Sequence, residues 1–293
     1  MPIEAPCPPE VLASISDLEL VARIVVAGLV SGLHRSPFHG YSAEFSQYRR
    51  YRPGDDLKYV DWKLLARTDR VFTKQFRETT NMAASIVLDT SASMEFPSPG
   101  AGPITKLRYG VIVAAALAHV IAGAGDAVGL TAGGTLLPPR GGRQHLRRLL
   151  AALGALSARD RWSGPEIVRQ AADRLGRRGL MIVVSDFYDD DDVMLTELRR
   201  ARRMGHEIVL FQVLSRDELE LPYGRDLEFA DLESDVRLAV NAALARRTYR
   251  DGVTDFLERM RSRSLAEGFQ YTLVMTDTAP MRVLRGFLLS RQR

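Results

Sequence analysis

The stretch ASIVLDTSASMEF, residues 84 to 96, is apolar up to Asp89 and then offers hydroxyls at Ser91 and Ser93. Farther along, the run LMIVVSD ends in a second acid, Asp186. Carboxylates, hydroxyls and waters are hard oxygen donors, and such a set suits Mg²⁺ or Mn²⁺. The alternate spacing lets one turn direct Asp89, Ser91 and Ser93 toward a single point. Taken alone, the same residues also read as a cap at a strand-to-helix turn, their oxygens accepting free backbone N–H groups. The near-continuous apolar run before Asp89, and a second acid at the end of another such run, favour the metal reading.

Other chemistries find fewer of their parts. A Mg²⁺-dependent phosphatase or phosphotransferase with Asp89 as nucleophile is the alternative. Enzymes of the haloacid-dehalogenase kind place D-x-D there, whereas Ser91 removes the second acid and with it the general acid/base. No lysine follows Lys106 to hold a phosphoryl group. The chain has no G-x-x-x-x-G-K-[ST] for nucleotide phosphates and no G-x-S-x-G nucleophile turn, for which HGYSAE is no substitute. Zinc fails on ligands: His34 and His39 flank Pro37, and His119, His145 and His206 are scattered.

The elements that must position these oxygens follow from hydrophobic pattern. Residues up to about 34 read as a helix, and the aromatic, arginine-rich segment after it as a small β module with RPGDD as a turn and RVFTKQF as a strand. From residue 84, strand-like and helix-like runs alternate: ASIVLD, a helix over 105–122, AVGLTA, the proline-containing edge strand TLLPPR, two basic amphipathic helices, LMIVVSD, a helix, HEIVLFQVL, an irregular acidic stretch around DLEFADLES, a long helix from about Asn241 to Glu267, FQYTLVMTD and a last helix. Repeated βα units predict an α/β fold with a doubly wound, mainly parallel, Rossmann-like sheet, and ligands collect where the winding of such sheets reverses. Two domains are expected, residues 1–80 as the helix and small β module and 81–293 as the sheet domain.

Composition excludes some function classes. Of 293 residues, 46% are hydrophobic and 26% charged, which is the balance of a globular chain. The net charge of +4 comes from arginines spread along the sequence, so nucleic acid is not expected as a partner. The single cysteine, Cys7, allows no internal disulfide. Acids stand where a secretory signal has its basic region, and YGVIVAAALAHVIAGAG, interrupted by His119, reads as a buried core helix. A cytoplasmic protein without a membrane span is the expectation.

LDTSASM resembles the metal-ion-dependent adhesion site of a von Willebrand factor A-type domain. Upstream, RRYRPGDDLKYVDWKLLARTDRVFTKQF is similar to the signature preceding it in the bacterial family catalogued as domain of unknown function 58. The resemblance spans residues 30 to 290 or so, and implies a von Willebrand factor A-like sheet domain. It implies that Asp89, Ser91, Ser93 and Asp186 bind Mg²⁺ or Mn²⁺ together with a later threonine. Here that region reads ARDRWSGPEI, with Trp162 or Ser163 near the position and Ser163 able to supply the hydroxyl. It also implies a non-catalytic, chaperone-like binding role beside a MoxR-type AAA+ ATPase and a client protein. Two further clusters have two readings each. The acid run from Asp186 to Asp192 is a solvated helix start or a second cation or basic-partner surface. Asp55, Asp56, Asp61 and Trp62 form a partner-binding edge or serve turns and packing.

Overall fold

The computed structural model describes residues 7–30, 43–52, 55–56, 59–78, 82–96, 104–158, 163–176, 178–188, 191–223, 226–230 and 237–291. Trp162, His34, His39, the Pro53–Gly54 centre of the expected turn, and Asp189 and Asp190 of the acid run lie outside the described residues.

The chain opens with α1 (Pro9–Ser14) and α2 (Leu18–Val30), followed by β1 (Ala43–Arg50), α3 (Trp62–Thr68) and β2 (Phe72–Glu78). The sheet region runs β3 (Ala83–Leu88), α4 (Lys106–Gly123), β4 (Ala127–Ala132), β5 (Thr135–Arg140), α5 (Arg143–Gly154), α6 (Gly164–Arg174), β6 (Gly179–Ser185), α7 (Asp191–Arg203) and β7 (Glu207–Leu214). It closes with α8 (Arg216–Glu220), β8 (Asp226–Ala230), β9 (Arg237–Asn241), α9 (Ala242–Ala266), β10 (Gln270–Met275) and α10 (Pro280–Ser290).

Six strands form one sheet in the order β10-β7-β6-β3-β4-β5, parallel except where β5 returns antiparallel to β4. Side chains alternate between its faces. Ile86, Leu88 and Val184 join α2, α4, α5 and α10 in one apolar cluster, while Val87, Met181, Val183 and Leu210 join α6, α7 and α9 in another. Helices therefore cover both faces of a mostly parallel sheet. From β3 the chain moves to β4 and β5 on one side, then crosses to β6, β7 and β10 on the other. The reversal lies between β3 and β6.

Three expectations are corrected. The N-terminal helix is two helices, because Asp17 breaks the run: its Oδ1 accepts from the backbone N–H of Glu19 at 2.9 Å and of Leu20 at 3.1 Å, starting α2 afresh. The acidic stretch, expected to be irregular, begins with β8, which pairs antiparallel with β9, Asp226 opposite Asn241. Residues 62–68, expected within a β module, form α3, begun by Asp61 accepting from Leu64 N–H at 3.0 Å. Leu12, Val21, Val25 and Leu29 of α1 and α2 sit in the same cluster as α4 and α10, so the core runs across residue 80.

Gly129 shows how tightly the edge is built. A Cβ there would lie 2.7 Å from the Leu137 carbonyl oxygen and 2.8 Å from the Pro139 nitrogen, both backbone atoms of β5. In β5 itself Pro138 and Pro139 are consecutive, as an edge strand tolerates.

His206, fully buried before β7, supplies a pH test away from the sheet crevice. Burial pushes its pKa below the ordinary value, against the opposing pull of the Ala172 backbone and Asp173. The folded state thus holds the ring neutral, and below the ordinary histidine pKa the unfolded chain binds the extra proton. This contribution to stability is present at pH 7.5 and lost as pH falls. The melting temperature of the wild type is expected to drop more steeply than that of His206→Gln between pH 7.5 and 5.5, and parallel curves would refute it.

Candidate functional site

Asp89 is the first residue past β3, and its N–H donates to the Val184 carbonyl of β6 at 2.9 Å, continuing the parallel ladder. Its carboxylate is 1% exposed. Oδ1 accepts from the Ser91 N–H at 2.8 Å, and Oδ2 accepts from the Ser185 hydroxyl at 2.5 Å. No ion pair reaches Asp89 among the described residues. Burial, and secondarily the charge of Asp186, push its pKa up to about 7. The Ser91 and Ser93 hydroxyls lie 2.9 Å apart, at the entry to a 3₁₀ turn over Ala92–Glu95. Its Met94 is fully buried and anchors the loop.

Asp186 follows β6 and is also buried. The turn after it is unusual, for Phe187 has φ 57°, a left-handed conformation costly for a bulky residue. Burial of its ring in the second apolar cluster offsets that cost, and its N–H donates to Ser185 Oγ at 2.9 Å. Asp186 Oδ2 accepts from Lys106 Nζ at 2.8 Å, and the same ammonium donates to Glu218 Oε1 at 2.5 Å. Lys106 is fully buried, with its Nζ 5.0 Å from the Tyr188 ring centroid. Burial alone would lower its pKa, but Asp186 and Glu218 outweigh that and hold it above the usual range. Glu218 Oε2 accepts from Ser215 N–H at 2.7 Å in a capping box that starts α8. The Asp186 carbonyl accepts from Gln212 Nε2 at 2.8 Å, and Gln212 Oε1 accepts from the Tyr271 hydroxyl at 2.6 Å.

The fold thus brings Asp89, Ser91 and Ser93 together at the winding reversal, with Asp186 close enough to act on Asp89 electrostatically. Ser163 is not tied to them: it is exposed and precedes α6 without a side-chain capping bond. Among the described residues no group of three or more His, Cys, Asp or Glu could hold a metal, so an ion here would depend on hydroxyl oxygens. A buried carboxylate that meets no cation among the described residues, beside two hydroxyls, fits a hard divalent ion in donor type and charge. Asp186 fits less directly, since Lys106 already holds it.

Sequence reasoning missed Lys106, Glu218 and Ser185. A signal for the first was present, because a lysine at the start of an apolar helix faces the unfavourable end of the helix dipole and needs an acid to hold it. The clusters with two readings also resolve in part. Asp55 accepts from Arg49 Nη2 at 2.7 Å and from Arg52 N–H at 2.8 Å, and Asp61, besides capping α3, accepts from the Tyr48 hydroxyl at 2.9 Å. Both serve turns and packing, while Trp62 is 60% exposed. In the acid run Asp192 pairs with Arg263 of α9.

A family profile described as "Protein of unknown function DUF58" matches residues 47–259, well over half of the chain. The chain belongs to the DUF58 family. It is 31% identical over 240 residues to an uncharacterized protein of Mycobacterium tuberculosis, covering 78% of this chain and 73% of that protein. It is 27% identical over 175 residues to uncharacterized protein YeaD of Bacillus subtilis, covering 57% of this chain and 40% of that one. Among solved structures, a conserved hypothetical protein BatB from Bacteroides thetaiotaomicron is similar at TM-score 0.45 and 12% identity, over 72% of this chain and 98% of that one.

An aerotolerance-related membrane protein from Bacteroides fragilis is similar at TM-score 0.45 and 15% identity, over 70% and 97% of the two chains. An uncharacterized membrane spanning protein from Vibrio fischeri is similar at TM-score 0.25 and 14% identity, over 72% and 98%. Those two structures are described as membrane proteins, and the expectation of a cytoplasmic protein is not kept. It rested on cysteine number and on N-terminal charge, which bear on redox exposure and secretion signals but not on attachment to a membrane. Among the described residues one helix, α4, is long and apolar enough to cross a membrane, and 72% of it is buried within the fold.

Proposed function

We propose that this DUF58 protein is a non-catalytic binding module of von Willebrand factor A type, in which Mg²⁺ or Mn²⁺ assists the capture of a partner protein. The observation that carries the reading is the buried Asp89 carboxylate, without a cation partner among the described residues, beside the paired Ser91 and Ser93 hydroxyls at the winding reversal. A divalent ion held there would supply an electrophilic position open to a carboxylate of the partner. Asp89, Ser91 and Ser93 are the residues that would hold it, with Asp186 behind them and Ser163 as a hydroxyl that a loop movement would have to deliver. The resemblance that names the partner points to a MoxR-type AAA+ ATPase and its client.

The phosphatase alternative gains nothing from Lys106, because its ammonium is spent on Asp186 and Glu218. Purified MoxR-type ATPase from the same source is expected to be recovered on the immobilised wild type in Mg²⁺. Recovery should be at least about tenfold lower in EDTA or with Asp89→Ala, in line with loss of one charged contact of 1.4 kcal/mol or more. Equal recovery under all three conditions would remove the metal-assisted mechanism. Turnover of p-nitrophenyl phosphate that disappears in Asp89→Ala would favour the enzyme instead.

A further inference from the structure

We propose that Lys106 is the resident cation of this crevice, a positioning residue that holds Asp186 and Glu218 and thereby sets how strongly a divalent ion is drawn to Asp89, Ser91 and Ser93. The inference rests on the metal-assisted reading above and goes beyond it, since it assigns a role to a residue outside the oxygen set.

Lys106 is fully buried at the first position of α4, where the dipole opposes a positive charge. A buried ammonium persists only when paired and hydrogen-bonded. Here it bridges two acids from different elements, Asp186 after β6 at 2.8 Å and Glu218 on α8 at 2.5 Å, under the face of Tyr188. Neither acid is placed to swing away easily. Glu218 is locked by its second oxygen in the capping box with Ser215, and the backbone of Asp186 is held by Gln212, which Tyr271 fixes in turn. Tyr188 is itself stacked on Phe256 of α9, with ring centroids 5.5 Å apart.

The charge balance follows. Lys106, Asp186 and Glu218 together keep one excess negative charge, and Asp89 adds another when ionised, so the crevice matches one divalent ion. Removing the ammonium leaves Asp186, the neighbour of Asp89, and Glu218 behind it uncompensated, and removing Glu218 leaves Asp186 fully neutralised.

The test is Mn²⁺ binding to the full chain, followed by electron paramagnetic resonance. Relative to wild type, Lys106→Met is expected to bind about tenfold more tightly and Glu218→Gln about tenfold more weakly, the order that one buried charge near an ion produces. The double variant restores the charge balance and should return toward the wild-type affinity. A lysine with a merely structural role would give weaker binding in Lys106→Met and no recovery in the double variant. That result overturns the inference, as does an unchanged affinity in Glu218→Gln, which decides the matter alone should Lys106→Met fail to fold; glutamine still serves a capping box. If the wild type binds Mn²⁺ and the variants do not shift it, this inference falls and the metal reading stands. If the wild type takes up no Mn²⁺, both fall.

Discussion

Asp89→Asn is expected to raise the melting temperature of the protein in EDTA at pH 8, and to abolish the further rise that Mg²⁺ or Mn²⁺ gives the wild type. Both halves come from one fact. A carboxylate with 1% exposure, accepting from Ser91 N–H and Ser185 Oγ but from no protein cation among the described residues, is costly to keep ionised. With its pKa pushed up to about 7, it is mostly charged at pH 8 in the fold. Asparagine keeps an oxygen for Ser91 N–H and turns an NH₂ toward Ser185 Oγ, which can rotate to accept. Relief of the buried charge is expected to be worth about 1–3 kcal/mol, the scale of a buried polar mismatch. The wild type should regain that amount, and more, only as the ion binds, because a ligand of the folded state alone stabilises by mass action. Thermal melts of both proteins across a Mn²⁺ titration check this. An asparagine variant less stable than the wild type in EDTA, yet equally stabilised by metal, would refute it.

Phe211→Ala is the second large effect. Phe211 is fully buried in β7, between β6 and β10, and its ring meets Phe287 of α10 edge-on with centroids 5.2 Å apart. Truncating a core phenylalanine removes transfer energy and leaves a cavity, for an expected loss of about 3–5 kcal/mol. Urea unfolding should show a lower midpoint at an unchanged slope. A loss below about 1 kcal/mol would mean that α10 does not close this face of the sheet. The neighbouring Gln212 holds the Asp186 carbonyl. Metal affinity of the folded variant should therefore stay near the wild-type value, which separates packing from site geometry.

Much of the sheet was readable because its signals are local. Runs such as IVLD and IVVSD are apolar until they meet an acid, and two acids ending neighbouring parallel strands meet by topology. The edge position of TLLPPR followed from its prolines. What escaped reading depends on partners distant in sequence. Lys106 joins Asp186 and Glu218 across separations of 80 and 112 residues, a pairing that no periodicity encodes. The break at Asp17 escaped because a cap inside an apolar repeat looks like an ordinary polar position. Ser163 was placed by likeness alone, and the structure leaves its hydroxyl at the exposed start of α6.

The consecutive prolines of β5 also bear on self-association. Pro138 and Pro139 stand where the pairing of β5 with β4 shifts register between Leu130 and Val128, and neither has an amide N–H to offer a neighbouring strand. A second molecule attempting to lengthen the sheet there meets a gap in the ladder it would have to template. At high concentration, fibril-like growth is disfavoured from that border of the molecule.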